Sequence, residues 1–153
     1  MKKLLTLFGF LTAFLGVSAD PVEIDGIFYN LNTDYQTAEV TSSPDPEAHY
    51  TGEVVIPSSV EYEGETYSVN SIGDYAFEGC TELTSVYFVY GVGLIGRNAF
   101  KDCTALTSLN LPNSIWQISS YAFKGCSSLT HLTMGRSVRK IMGQAFVDCP
   151  LLT

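Results

Sequence analysis

The residues best suited to chemistry in this 153-residue chain recur at a fixed interval. Cys80, Cys103, Cys126 and Cys149, the four cysteines of the sequence, stand 23 residues apart. In an exported chain four cysteines would ordinarily suggest disulfides. A bridge needs Cβ atoms about 3.8 Å apart on converging vectors, whereas equivalent positions of stacked coils lie roughly 4.8 Å apart on parallel ones. The spacing therefore predicts buried free thiols acting as small apolar side chains. No His keeps phase with the cysteines, which argues against a metal site, and no cofactor is expected. His131 falls one repeat from Ser108, a pairing that can make a nucleophile, but no Asp or Glu is read at a strand position to orient the imidazole. Glu61, Glu63 and Glu65 are expected to alternate along one face of a hairpin, where oxygen ligands attract calcium. Their spacing is not that of an EF-hand, so a solvated face is the expectation. There is no phosphate loop, zinc spacing or nucleophile elbow. A glycan hydrolase would need two carboxylates flanking a cleft, and the repeats carry no such pair. The chain reads as a protein that is not an enzyme.

The interval that spaces the cysteines spaces other residues too. Ile72, Ile95, Ile118 and Ile141 open four ungapped segments of pattern Ile-x-x-x-Ala-Phe-x-x-Cys, and Leu83, Leu106, Leu129 and Leu152 follow each cysteine by three. Such self-similarity is the signature of a repeat solenoid. Within Leu83–Phe88, Leu106–Leu111 and Leu129–Met134 the apolar residues fall at the first, fourth and sixth places. The last two alternate with an outward residue, as in a strand. Each coil is thus expected to give one short parallel strand, turn near Pro112 or Gly135, and return through the Ala-Phe segment. A single coil cannot cover its own apolar side, so the core forms by stacking Phe on Phe and Leu on Leu.

The 23-residue period, the Leu106-Thr107-Ser108-Leu109-Asn110-Leu111-Pro112 strand and the Ala-Phe-x-x-Cys blocks resemble the BspA type of leucine-rich repeat, found in bacterial surface proteins. The resemblance covers residues 72–153. Val89 and Gly135 depart from it by replacing the Pro, as does Met142 in place of a small residue after Ile141. The resemblance implies a leucine-rich-repeat solenoid, mostly β, with attachment to host proteins or other cells as its function.

Residues 20–71 are expected to cap the first coil, since an open solenoid end exposes apolar surface and strand edges. Val22–Leu31 reads as a strand turning at Asp25-Gly26, with Ala38–Thr41 as its partner and Ser42–Glu47 as a Pro-containing loop. Val54–Val60 resembles the strand-and-turn part of a repeat, with Ile56-Pro57 matching Leu111-Pro112, followed by a hairpin turning at Glu63-Gly64. Residues 1–19 read as a signal peptide: Lys2 and Lys3, an apolar run from Leu4 to Val17, and small residues ending at Ala19. A run of about fourteen residues is too short to span a bilayer, so no stable membrane insertion is expected after cleavage, and the mature protein is expected to be secreted or cell-surface. At the other end, Leu152-Thr153 matches the first two residues of a strand, and the coils are expected to continue beyond residue 153.

Charge is unevenly placed. Between Asp20 and Gly96 there are fourteen Asp and Glu and no Lys or Arg, while Arg97 to Thr153 carries six Lys and Arg against two Asp. An acidic chain repels phosphate backbones, so nucleic acid is not an expected partner. The expected working surface is the outward side of the strands, in two columns: Ser85, Ser108 and His131, and Tyr87, Asn110 and Thr133. Trp116 and Tyr87 are the expected aromatic anchors, because Gly93 and Arg139 occupy the position of Trp116 in sister coils. The partner expected is an extracellular protein or glycan. The alternative is a structural spacer that presents a domain lying beyond residue 153.

Overall fold

The computed structural model describes residues 20–153, so the expected signal peptide lies outside the described residues. Among the described residues the regular structure is all strand. The lead-in holds β1 (Val22–Ile24), β2 (Ile27–Asn32), β3 (Thr37–Thr41), β4 (Gly52–Ile56), β5 (Ser59–Tyr62) and β6 (Glu65–Ile72). The coils add β7 (Leu83–Phe88), β8 (Leu94–Ile95), β9 (Ser108–Asn110), β10 (Gln117–Ile118), β11 (His131–Thr133) and β12 (Lys140–Ile141).

The two hairpins turn where turn chemistry allows. β1 pairs antiparallel with β2 around Asp25-Gly26, and β5 with β6 around Glu63-Gly64. Both residues of each turn have positive φ, 51° and 81° in the first and 52° and 85° in the second. That combination matches the twist of the flanking strands and favours Asp or Asn followed by Gly. β3 runs antiparallel to β2 and parallel to β6. The lead-in is therefore the beginning of a sheet that continues through β8, β10 and β12. It covers the first coil by extending the ladder of the solenoid.

Each coil has three sides, two of which bond to the next coil at every step. The first carries the strands expected from the Leu pattern. On the second, Leu94-Ile95, Gln117-Ile118 and Lys140-Ile141 form two-residue strands that follow the end of β6, with Ile72, Ile95, Ile118 and Ile141 in register. On the third, the Ala-Phe segment bonds without forming a regular strand. Phe77 N donates to Ala99 O at 2.7 Å, Phe100 N to Ala122 O at 2.7 Å and Phe123 N to Ala145 O at 2.8 Å. These turns use left-handed residues in phase: Tyr75, Asn98, Tyr121 and Gln144 have φ between 53° and 61°. With the second and third sides paired at every step, and the first between β4 and β7 and between β9 and β11, the coils exchange backbone hydrogen bonds without a helix.

The core is the stack that the period requires. Phe77, Phe100 and Phe123 are fully buried, as are Leu83, Leu106 and Leu129 and the three alanines Ala76, Ala99 and Ala122. The Phe rings lie nearly parallel, with centroids 4.8, 5.1 and 5.2 Å apart from Phe77 through to Phe146. Tyr50 ends the row from the cap side, tilted at 45° with its centroid 4.7 Å from Phe77. Its hydroxyl donates to Thr41 O at 2.6 Å and accepts from Phe28 N at 3.0 Å. One side chain thus joins the cap sheet to the aromatic ladder. Burial pushes the Tyr50 phenol up to about 12, against a smaller lowering by the Phe28 amide.

Candidate binding surface

The outward strand positions are set by the ladders of the first side. β9 and β11 pair parallel, placing His131 beside Ser108 and Thr133 beside Asn110, all four exposed. β7 pairs with β4, which sets Ser85 beside Glu53 and Tyr87 beside Val55. β7 and β9 lie side by side but belong to two separate two-stranded sheets. The hydrogen-bond ladder under the expected columns is therefore interrupted between β7 and β9. Ser108, His131, Asn110 and Thr133 form one polar group. Ser85 and Tyr87 stand with Glu53 and Val55, two residues that sequence reasoning left out. The signal was present: aligning Ile56-Pro57 with Leu111-Pro112 puts Glu53 and Val55 at the positions of Ser108 and Asn110.

Glu53 also corrects the statement that no carboxylate occupies a strand position. It stands on β4, beside Ser85 rather than His131. His131 instead meets its neighbour, with Thr130 Oγ1 2.8 Å from Nδ1. The three hairpin glutamates are corrected as well. Glu61 pairs with Thr66, while Glu65 pairs with Tyr62. Paired residues share a face and successive residues do not, so Glu61 and Glu65 point to opposite sides of the hairpin. Glu65 accepts a hydrogen bond from Gln36 Nε2 at 3.1 Å. Among the described residues no group of three or more His, Cys, Asp and Glu side chains converges to hold a metal ion.

Comparison with known proteins follows the same lines. The family model described as the BspA type leucine rich repeat region matches residues 53–153 in six copies. The chain belongs to the BspA-type leucine-rich-repeat family. The match begins at Glu53, in the segment read from the sequence as a modified first coil. Among solved structures, a leucine-rich repeat protein from T. pallidum is similar at 28% identity and a TM-score of 0.65, over 82% of this chain and 65% of that one. One from Bacteroides ovatus is similar at 25% identity and 0.59, over 86% and 45%. One from Bacteroides capillosus shares the fold at 24% identity and 0.54, over 76% and 99%. The chain thus spans less than two thirds of the length of the first two. No curated protein sequence matches it.

In this BspA-type solenoid the repeated residues are used up by stacking. The four cysteines are free, and Cys103 and Cys126 are fully buried. They do more than fill space. The Cys103 thiol donates to Phe77 O at 3.1 Å, Cys126 to Phe100 O at 3.2 Å and Cys149 to Phe123 O at 3.1 Å. Each S–H crosses to the preceding coil, a weak bond repeated at every step. Burial raises all four thiols above the usual range, Cys126 to about 12, so they stay protonated donors.

What does not repeat lies outside. Tyr87 is 53% exposed, Val55 55% and Trp116 48%. Trp116 stands in the turn leading into β10, not on the first side with Tyr87. Its indole lies against Gly93 of the coil before, close enough that a Cβ there would meet Nε1 at 2.9 Å. Ser85 and Tyr87 thus stand on one ladder of the first side, Ser108, Asn110, His131 and Thr133 on the next, and Trp116 off that side.

Proposed function

We propose that this BspA-type protein is a secreted or cell-surface binding module that attaches to an extracellular protein or glycan through the outward side of its first strands. The observation that carries the reading is Tyr87. It is a large aromatic residue left half exposed in the middle of a strand, side by side with exposed Val55. Repeat solenoids use such extended faces to bind partners, and aromatic residues dominate binding energies. The export signal read in residues 1–19 agrees with a partner outside the cell. Trp116, exposed in the turn leading into β10, offers a second aromatic residue away from that side.

Screening the purified protein on arrays of matrix proteins and glycans tests the reading. A positive signal should weaken by at least about tenfold when Tyr87 and Trp116 are both changed to Ala, the loss expected of aromatic anchors. Unchanged affinity in that variant would show that the surface is wrong. Flat signals on every probe would favour a spacer that only presents another domain.

A further inference from the structure

β4 has a partner on one side only. It pairs with β7, and among the described residues no strand lies along its other edge. No cap strand pairs with it, because β3 joins β6 on the second side of the solenoid. In a parallel ladder, alternate residues turn their N–H and C=O toward the partner. Gly52 N donates to Glu82 O at 2.9 Å and Ile56 O accepts from Val89 N at 2.9 Å, so Gly52, Val54 and Ile56 face β7. Glu53 and Val55 therefore turn their N–H and C=O to the open edge. An edge of this kind is usually short, covered or protected by positive charge. This one is next to a cleft of about 530 Å³, with the Asp25-Gly26 turn across from Glu53 and Val55.

The cleft has a definite electrostatic sign. Asp25 and Glu53 line it together with His49, and no Lys or Arg occurs anywhere between Asp20 and Gly96. Above the edge, the exposed Val55 side chain stands beside Tyr87. We propose that the open edge of β4 takes up an extended cationic segment of a partner protein as an added strand. Backbone hydrogen bonds to Glu53 and Val55 would hold the segment, as in other cases of strand addition. Side chains two apart on the added strand share a face, so a Lys or Arg sits beside Glu53 and an apolar residue beside Val55. This inference concerns the sheet edge and does not depend on whether the Ser108 to Thr133 group binds anything.

A fluorescein-labelled peptide of sequence Thr-Val-Thr-Lys-Thr-Val-Thr tests it, since its symmetry suits either strand direction. Fluorescence anisotropy should show saturable binding to the intact protein. Replacing the Lys of the peptide by Glu should weaken binding at least about tenfold, and so should methylating one of the two sets of alternate backbone amides, the set facing β4, while methylating the other set leaves binding intact. Val55→Pro removes an edge N–H that the β7 ladder does not use, a position where Pro is tolerated, and should weaken binding as much without lowering Tm. Amide exchange should slow at Glu53 and Val55 when the peptide is bound. The proposal is overturned by no saturable binding up to about 1 mM peptide, or by full affinity of both methylated peptides. Protection at Ser108 and His131 instead of at the edge would also overturn it. Should Val55→Pro fail to fold, the methylated peptides decide the question.

Discussion

The row of Phe rings gives the sharpest test of how coils hold each other. Phe100 is fully buried and stacked on both faces, 4.8 Å from Phe77 and 5.1 Å from Phe123. Phe146 is only partly buried and stacks on Phe123 alone. Truncating a buried Phe to Ala costs about 3–5 kcal/mol through lost transfer energy and the cavity left behind. Each stacked pair adds about 0.5–1.5 kcal/mol beyond burial. Phe100→Ala loses two such pairs and should fall at the top of that range, about 5 kcal/mol. Phe146→Ala loses one pair and less burial, and should cost about half as much. A domain has only about 5–15 kcal/mol in hand, so the first change should leave the protein at the edge of unfolding. Urea titration followed by circular dichroism measures the totals. Because long repeat arrays can lose two-state behaviour, amide exchange should accompany it. The bonds from Phe77 N to Ala99 O and from Phe100 N to Ala122 O should open first in Phe100→Ala. Equal costs for the two substitutions, or a cost below about 1 kcal/mol for Phe100→Ala, would refute the claim that neighbours supply the core to each other.

Three further outcomes are expected. The Tyr50 phenol is raised to about 12 in the folded protein from its ordinary 10, so the folded state holds its proton longer than the unfolded chain does. That contribution is complete below pH 10 and is lost as pH rises through about 12. In Tyr50→Phe the alkaline loss of stability measured by fluorescence should be smaller, with lower stability at neutral pH from the two missing hydrogen bonds. Thiol labelling of the native protein at pH 8 should modify Cys149, which is partly exposed, well before Cys103 or Cys126. Comparable rates at all four positions would contradict the buried ladder. Gly135→Ala should destabilise, because a Cβ there runs into the backbone of Pro112 and Asn113, whereas Gly143→Ala meets nothing within 4 Å and should leave Tm unchanged or slightly higher. Equal effects of the two glycine substitutions on Tm would mean that adjacent coils are not packed as tightly at Pro112 as the structure places them.

The parts of the fold that were legible in the sequence are the parts that stacking forces to repeat. A Phe that must lie on another Phe leaves a mark every 23 residues, and so does the Ile of the second side. The strand formed by that Ile was not legible. It is two residues long at Leu94-Ile95, and an alternation cannot show itself over so short a span. The thiol hydrogen bonds were hidden for another reason. The acceptor of each is a carbonyl 26 residues earlier, and only the offset between successive coils brings the two groups together. The cap hairpins were readable because Asp25-Gly26 and Glu63-Gly64 carry turn chemistry in the residues themselves.

The candidate sites obey the opposite rule, and this is why they were only partly visible. A residue whose role is to meet a partner is free of the stacking constraint, so the period says nothing about it. Tyr87 and Trp116 stood out because they break the pattern of their sister coils. Glu53 and Val55 did not, because their coil is itself irregular: after Pro57 the chain makes the β5–β6 hairpin instead of turning directly into the second side. That insertion has a physical consequence for binding. The hairpin and β3 continue the second side toward the cap, while nothing in the described chain continues the first side past β4. The second side extends past the first coil and the first side stops there, so the solenoid begins with a step. The open edge of β4, with the acidic cleft beside it, is that step. A shift of the peptide site to any regular coil would show that the step is covered in solution and that the irregular first coil serves only to cap.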